Sequence, residues 1–225
     1  MNNPNQAIGQ IFKVIGNGQA YLNLVYLGAA FPLGVFYFVF LITGISTGIS
    51  LAIIWVGIPI LLLVGIGWWL LARFERFMAI HLLKEDVPEM TRPTSSSDDL
   101  WRRYKEYFTN PVTWKSLLYL LMKFPLGIAT FVILITMISL TLAFLSMPFT
   151  YEFFPYYQAG ISFGPGLPVW HIDSMSDALL GFVIGLLLWP VTLHITNGLA
   201  WLHAKFARMM LSINPMGMLS SFGQT

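Results

Sequence analysis

Tyr26-Leu27…Phe31-Pro32-Leu33-Gly34…Phe38-Val39…Leu41-Ile42-Thr43 returns 93 residues later as Tyr119-Leu120…Phe124-Pro125-Leu126-Gly127…Phe131-Val132…Leu134-Ile135-Thr136. Both copies lie inside long apolar runs, so the chain reads as a duplicated membrane hairpin. No charged residue occurs between Lys13 and Arg73, between Lys123 and Glu152, or between Asp177 and Lys205. About 20 apolar residues cross a bilayer, so the first run holds two helices and each of the others one. The expected fold class is all-α: a polytopic membrane protein whose four transmembrane helices form two hairpins related as a parallel repeat.

Composition agrees with that reading and excludes a water-soluble domain. The 225 residues are 56% hydrophobic and 10% charged, with a mean hydropathy of +0.71, far from the balance of soluble proteins. All twelve Lys and Arg residues fall in the N-terminal segment, the central loop with its flanking helix ends, or the end of the chain. The two opposite loops, expected near Thr43–Ser50 and Met147–Ser176, carry none. The positive-inside rule then makes both termini cytoplasmic and the protein a multi-pass component of the cell membrane. The net charge of +2 follows from topology, and no nucleic-acid partner is expected. Met1-Asn2-Asn3-Pro4 has no basic n-region of a cleavable signal peptide. With no cysteine in the chain, disulfides, thiolate metal sites and cysteine nucleophiles are excluded.

The repeat extends beyond its central motif. Asn17 aligns with Asn110, and each is suited to cap the helix that follows. Upstream of Asn110, Trp101, Tyr104 and Phe108 share one helical face; Ile8, Ile11 and Ile15 are their counterparts. Each half is therefore expected to open with a short amphipathic interfacial helix. Downstream, Trp69-x-x-Ala72-Arg73-Phe74-x-Arg76 aligns with Trp201-x-x-Ala204-Lys205-Phe206-x-Arg208, an aromatic and basic helix exit that anchors at the headgroups. The organisation is a first repeat over 1–82, a cytoplasmic linker over 83–99, a second repeat over 100–211 and a cytoplasmic tail over 212–225. The outer loop of the second repeat is crowded with aromatic residues and broken by Gly160, Gly164-Pro165-Gly166 and Pro168, and is expected to fold back onto the helix ends.

Four sets of residues bear on chemistry. Pro32, Pro125, Pro59 and Pro190 are each expected to free a carbonyl and bend a helix; such bends shape a ligand cavity or let helices wrap, with Gly34 and Gly127 allowing close approach. Gly44-x-x-x-Gly48 and Gly181-x-x-x-Gly185 have packing-interface spacing, suited first to internal contacts and also compatible with a homo-oligomer. His194 and Asn197, one turn apart, are ligand-binding candidates together with Pro32 and Pro125, since polar groups at membrane depth face the bundle interior. Lys123 is expected to snorkel to the cytoplasmic side. With no other intramembrane charge in view, a small proton-coupled transporter or a channel is disfavoured. Finally, His171-x-Asp173 with Asp177 and Glu152 could ligate Zn²⁺ or Mn²⁺ at the outer surface; the preferred alternative is that Ser174, Ser176 and Asp177 cap the fourth helix. No nucleophile elbow or phosphate loop occurs, so neither enzymatic activity nor a cofactor is expected.

Several segments resemble the prokaryotic "putative sensor" domain family. They are Phe36-Tyr37-Phe38 with Leu41–Gly44, the block from Trp114 through Tyr119 to Gly127, Trp170-x-Ile172-Asp173…Ala178-Leu179…Gly185, and Asn197-Gly198-Leu199-Ala200…Ala207-Arg208. The resemblance covers about Asn17 to Leu211 and implies a four-helix membrane module that commonly accompanies a histidine kinase. Only Ser212–Thr225 follow, so the resemblance further implies output through a separate partner, a kinase or regulator. The expected contact surface is Trp101, Tyr104 and Phe108 with the exits Arg73, Arg76, Lys205 and Arg208. The alternative is an accessory or structural subunit of a larger membrane complex, a transporter or an energy-transducing assembly.

Overall fold

The structure is a computed structural model that describes residues 13–85, 111–153, 160–162 and 169–211. Four helices dominate: α1 (Gly18–Ala52), α2 (Gly57–Leu83), α3 (Pro111–Phe153) and α4 (Met175–Leu211). Each is long and apolar enough to cross a membrane, and their outward faces carry large apolar side chains such as Val25, Phe36, Val132 and Leu187. The expected all-α, four-span architecture is what the chain adopts. The helix expected around Trp101, Tyr104 and Phe108, the Asn110 cap, most of the linker and everything after Leu211 lie outside the described residues.

By internal contacts the chain divides into two compact units, Met1–Tyr21 with Val132–Thr196 and Leu22–Phe131 with Asn197–Thr225. In the first unit a single 3-10 turn, Val14–Gly16, leads to Asn17. The Asn17 Oδ1 accepts the Gln19 N–H at 3.0 Å, the cap expected of it. Further along, Thr141 and Thr192 join α3 to α4 through hydroxyls 2.9 Å apart. A Cβ on Gly185 would lie 2.9 Å from the Leu145 nitrogen, and one on Gly181 would collide with the Met147 sulfur. The small-residue spacing of α4 thus serves an internal contact. Phe144, Met147, Ile172 and Ala178 close a small core there.

The strands β1 (Gly160–Ser162) and β2 (Val169–His171) pair antiparallel, with Gly160 opposite His171, a small addition to the helical fold. Ser174 then starts α4 by a reciprocal cap. Its hydroxyl accepts the Asp177 N–H at 3.2 Å, and the Asp177 carboxylate accepts both the Ser174 N–H and its hydroxyl. This is the capping-box arrangement with aspartate in place of glutamate.

In the second unit the repeated motif packs against itself. A Cβ on Gly34 would fall 2.8 Å from the Lys123 carbonyl oxygen, and a Cβ on Gly127 would fall 2.8 Å from that of Ala30. The aromatic residues around this crossing are paired by the same symmetry. Phe31 stacks on Phe131 at 4.8 Å, and Phe124 on Phe38 at 4.6 Å. Backbone-to-backbone proximity of this kind is what small residues permit in membrane helices. Around it Tyr37, Leu41, Val64, Trp68, Ala72, Tyr119 and Leu120 form the main core.

Two expectations are corrected. The first outer loop is not at Thr43–Ser50, which is helical; the reversal is the turn at Ile53–Val56. Gly44 and Gly48 are interface positions, where an added Cβ would come within 2.5 Å of Val64 and Leu61 of α2. The turn is tight enough to hold Trp55 at a φ of 66°, a left-handed conformation uncommon for a bulky residue. Pro59 does not break α2, because it lies in the first turn, where backbone N–H groups have no intrahelical acceptor. Pro32 and Pro190 are interior, as expected.

The crossing yields a paired prediction. Gly34→Ala and Gly127→Ala should each lower the thermal stability of the detergent-solubilised protein, by about 1–3 kcal/mol for overpacking. Gly28→Ala, with nothing within 4 Å of the added carbon, should be neutral or slightly stabilising, since alanine is the better helix former. Thermal unfolding followed by size-exclusion chromatography would measure all three.

Candidate functional site

The second unit holds a group of polar side chains withdrawn from solvent. On α2, Trp68, Ala72, Glu75 and Ala79 recur at helical spacing and are all buried. Ser116, Tyr119 and Lys123 do the same on α3, and Tyr26, Ala30 and Tyr37 on α1. These faces bring Lys123 Nζ to 2.7 Å from Glu75 Oε2, with both side chains 0% exposed.

Hydroxyls complete the pair. Lys123 also donates to the Tyr26 hydroxyl at 2.6 Å, and its ammonium lies 4.5 Å from the centre of the Tyr26 ring. The Tyr119 hydroxyl donates to Glu75 Oε2 at 3.0 Å, and the Tyr37 hydroxyl donates to Oε1 at 2.9 Å. Charge-assisted hydrogen bonds of this type are the strong ones. Together they compensate the several kcal/mol that each ion loses on leaving water.

Further contacts flank the pair. The Trp68 indole donates to Ser116 Oγ at 2.9 Å, and the Ser116 hydroxyl donates in turn to the Thr113 carbonyl at 2.7 Å. Asn23 donates to the Asn197 side-chain oxygen at 2.9 Å, tying α1 to α4. Phe206 stacks on Tyr119 at 5.3 Å. His203, also buried, meets the Tyr26 ring edge-on at 6.0 Å. Towards the helix exits, Lys205 and Arg208 approach Glu85 Oε1 at 3.9 and 3.3 Å, linking the end of α4 to the end of α2.

Lys123 therefore does not snorkel. Its position on α3 points it at a carboxylate that the reading of Arg73 and Arg76 as a basic exit had passed over. Because Glu75 and Lys123 are charges inside the bundle, the absence of such charge no longer counts against a transporter.

The other candidates are dispersed. His194 is exposed on α4, whereas Asn197 is engaged with Asn23. Pro32 and Pro125 are exposed beside the glycine crossing. Arg73 is exposed and lies 4.1 Å over the Trp69 ring, an aromatic–basic anchor of the expected type; Arg76 is half-buried. His171 and Asp173 are exposed, and Asp177 is committed to the α4 cap. Among the described residues no three metal-ligating side chains converge.

A double-mutant cycle tests whether the pair is energetically coupled. Glu75→Gln or Lys123→Met alone should destabilise the bundle by about 3–5 kcal/mol, because each leaves one buried ion unmatched. The double variant should cost clearly less than the sum. Unfolding in bicelles would measure the cycle; additive losses would show that the two charges act independently.

A family model described as "Putative sensor" matches residues 26–211, a span that contains the repeated motif, the ion pair and both basic exits. No curated protein and no solved structure matches this chain. With the match covering well over half of the sequence, the chain belongs to the Putative sensor family.

Proposed function

We propose that this chain is a non-enzymatic sensor module of the membrane. It detects a state of the bilayer or a hydrophobic ligand and relays it to a separate cytoplasmic protein, a kinase or regulator, with both termini on the cytoplasmic side. The observation that carries this reading is the buried Glu75–Lys123 pair with its tyrosines. Ion pairs and packed cores have discrete arrangements rather than a continuum, and this one draws on α1, α2 and α3 near helix ends rich in Lys and Arg. A change in packing that disturbs it would reach the Glu85–Lys205–Arg208 contacts, where the exits of α2 and α4 meet. Family membership supports a sensing rather than a catalytic role.

Purification from the native membrane in mild detergent tests the relay. A kinase or regulator should co-purify, and Lys205→Glu/Arg208→Glu should reduce its recovery about tenfold, the equivalent of roughly 1.4 kcal/mol. Glu85→Gln, which breaks the same ion pairs but leaves the basic residues, should reduce it less. Recovery of a large membrane complex at fixed stoichiometry would instead establish the accessory-subunit reading. A topology reporter fused after Thr225 should be cytoplasmic.

A further inference from the structure

His203 is the member of the buried cluster to which the relay assigns no role. Its side chain is 2% exposed, yet its Nε2 has no hydrogen-bond partner among the described residues, although buried polar nitrogens are nearly always paired. Its ring packs edge-on against Tyr26 at 6.0 Å, the same tyrosine whose hydroxyl is 2.6 Å from Lys123 Nζ. Of the titratable and charged groups, Tyr26 of α1 packs on its ring and Lys123 of α3 places a positive charge against it; Glu75 of α2, Tyr37 of α1 and Tyr119 of α3 join these two in one hydrogen-bonded cluster, and Lys205 and Arg208, further along α4, are on Glu85.

The charge balance of this group is closed as it stands. One carboxylate matches one ammonium. Glu75 Oε1 is taken by Tyr37, and Oε2 by Tyr119 and Lys123. An imidazolium at His203 would add a second cation with no acceptor left for its N–H. An unmatched ion in a desolvated site is strongly disfavoured. Proton uptake is therefore coupled to a change in the seat of His203.

We propose that His203 is a proton-binding site, and that its protonation drives the last turns of α4 away from α1 and α3 and loosens the Glu85 contacts of Lys205 and Arg208. This rests on the sensor reading and adds acidity as an input beside the bilayer state or hydrophobic ligand. The sign follows from the balance: the closed seat holds neutral imidazole and prevails at higher pH, and the open one holds imidazolium and gains as pH falls. Because the closed seat must be given up for the proton to bind, the transition lies on the acid side of the ordinary imidazole value of about 6.5.

The absence of cysteine makes spin labelling direct. Phe77 on α2 and Met209 on α4 are both exposed. Phe77→Cys/Met209→Cys, labelled in the full chain, would be placed in nanodiscs of phosphatidylcholine and phosphatidylglycerol, and the label–label distance measured from about pH 8 down to about pH 4. The separation should change reversibly by about 3 Å, half a helical pitch. His203→Gln should hold the high-pH distance throughout. The triple change His81→Gln, His171→Gln, His194→Gln, which leaves His203 as the remaining histidine, should keep the full response.

No response in the parent pair, or a response that survives His203→Gln, overturns the proposal. If His203→Gln does not fold, the triple variant decides: the ¹⁵N signal of its one imidazole must titrate with the same midpoint as the distance, and different midpoints overturn the proposal. No partner is involved in these measurements. A missing response thus refutes the proton site while leaving the co-purification result intact. A response in a chain that recruits no partner supports the proton site and refutes the relay.

Discussion

A lysine ammonium and a glutamate carboxylate, both shut off from water, impose the strongest constraint on this bundle. Neither ion is tolerable there alone. The helices bearing them must keep a fixed rotation and depth so that Lys123 and Glu75 stay within 2.7 Å. Tyr26, Tyr37 and Tyr119 must remain close enough to bond them. Apolar contacts among membrane helices discriminate poorly between registers, because lipid tails are as apolar as leucine. The polar cluster supplies the discrimination that those contacts lack.

The pair also breaks the symmetry of the duplication. At the offset of the repeated motif, Lys123 aligns with Ala30; at the offset of the helix exits, Glu75 aligns with Ala207. Both alanines are buried. Tyr26 and Tyr119, by contrast, are matched copies, and so are the two glycines of the crossing and the two phenylalanine stacks. The shared elements build a two-fold helix crossing. The charges, and His203 where the other copy has Leu71, belong to one side only. A two-fold scaffold with a one-sided polar insert is the arrangement in which a local event favours movement of one helix over its counterpart.

Much of this fold is legible in the sequence, because uncharged runs and a repeated motif report directly on bilayer thickness and on duplication. The family was legible for the same reason, since its motifs run through the spans. The polar cluster was harder to read. Glu75 sits between Arg73 and Arg76, where a charge looks like part of a solvated helix end. Only its phase with Trp68, Ala72 and Ala79 marks it as interior. Lys123 has an alkyl stem long enough to escape towards the headgroups, and proximity to a particular carboxylate is a tertiary fact. The repeat did contain a signal: a charge aligned with alanine in the other copy marks an interior position that has changed its use. Helical phase separates the polar pair His194 and Asn197, leaving the first exposed and turning the second towards Asn23, a distinction that membrane depth alone does not make. The first outer turn lies further on than Thr43–Ser50 because α1 continues through Gly44 and Gly48, whose packing spacing meets α2, to the turn at Ile53–Val56.

The central claim is that Lys123 and Glu75 form a direct ion pair inside the bundle in a lipid bilayer. Solid-state NMR of protein labelled with ¹⁵N at lysine side chains and ¹³C at glutamate carboxyls, reconstituted in lipid, tests it through the dipolar coupling between Lys123 Nζ and Glu75 Cδ. A direct hydrogen-bonded pair predicts a separation below about 4 Å and loss of that coupling in Lys123→Met. A Lys123 signal with no carboxyl coupling and the exchange behaviour of a solvated ammonium would contradict the account.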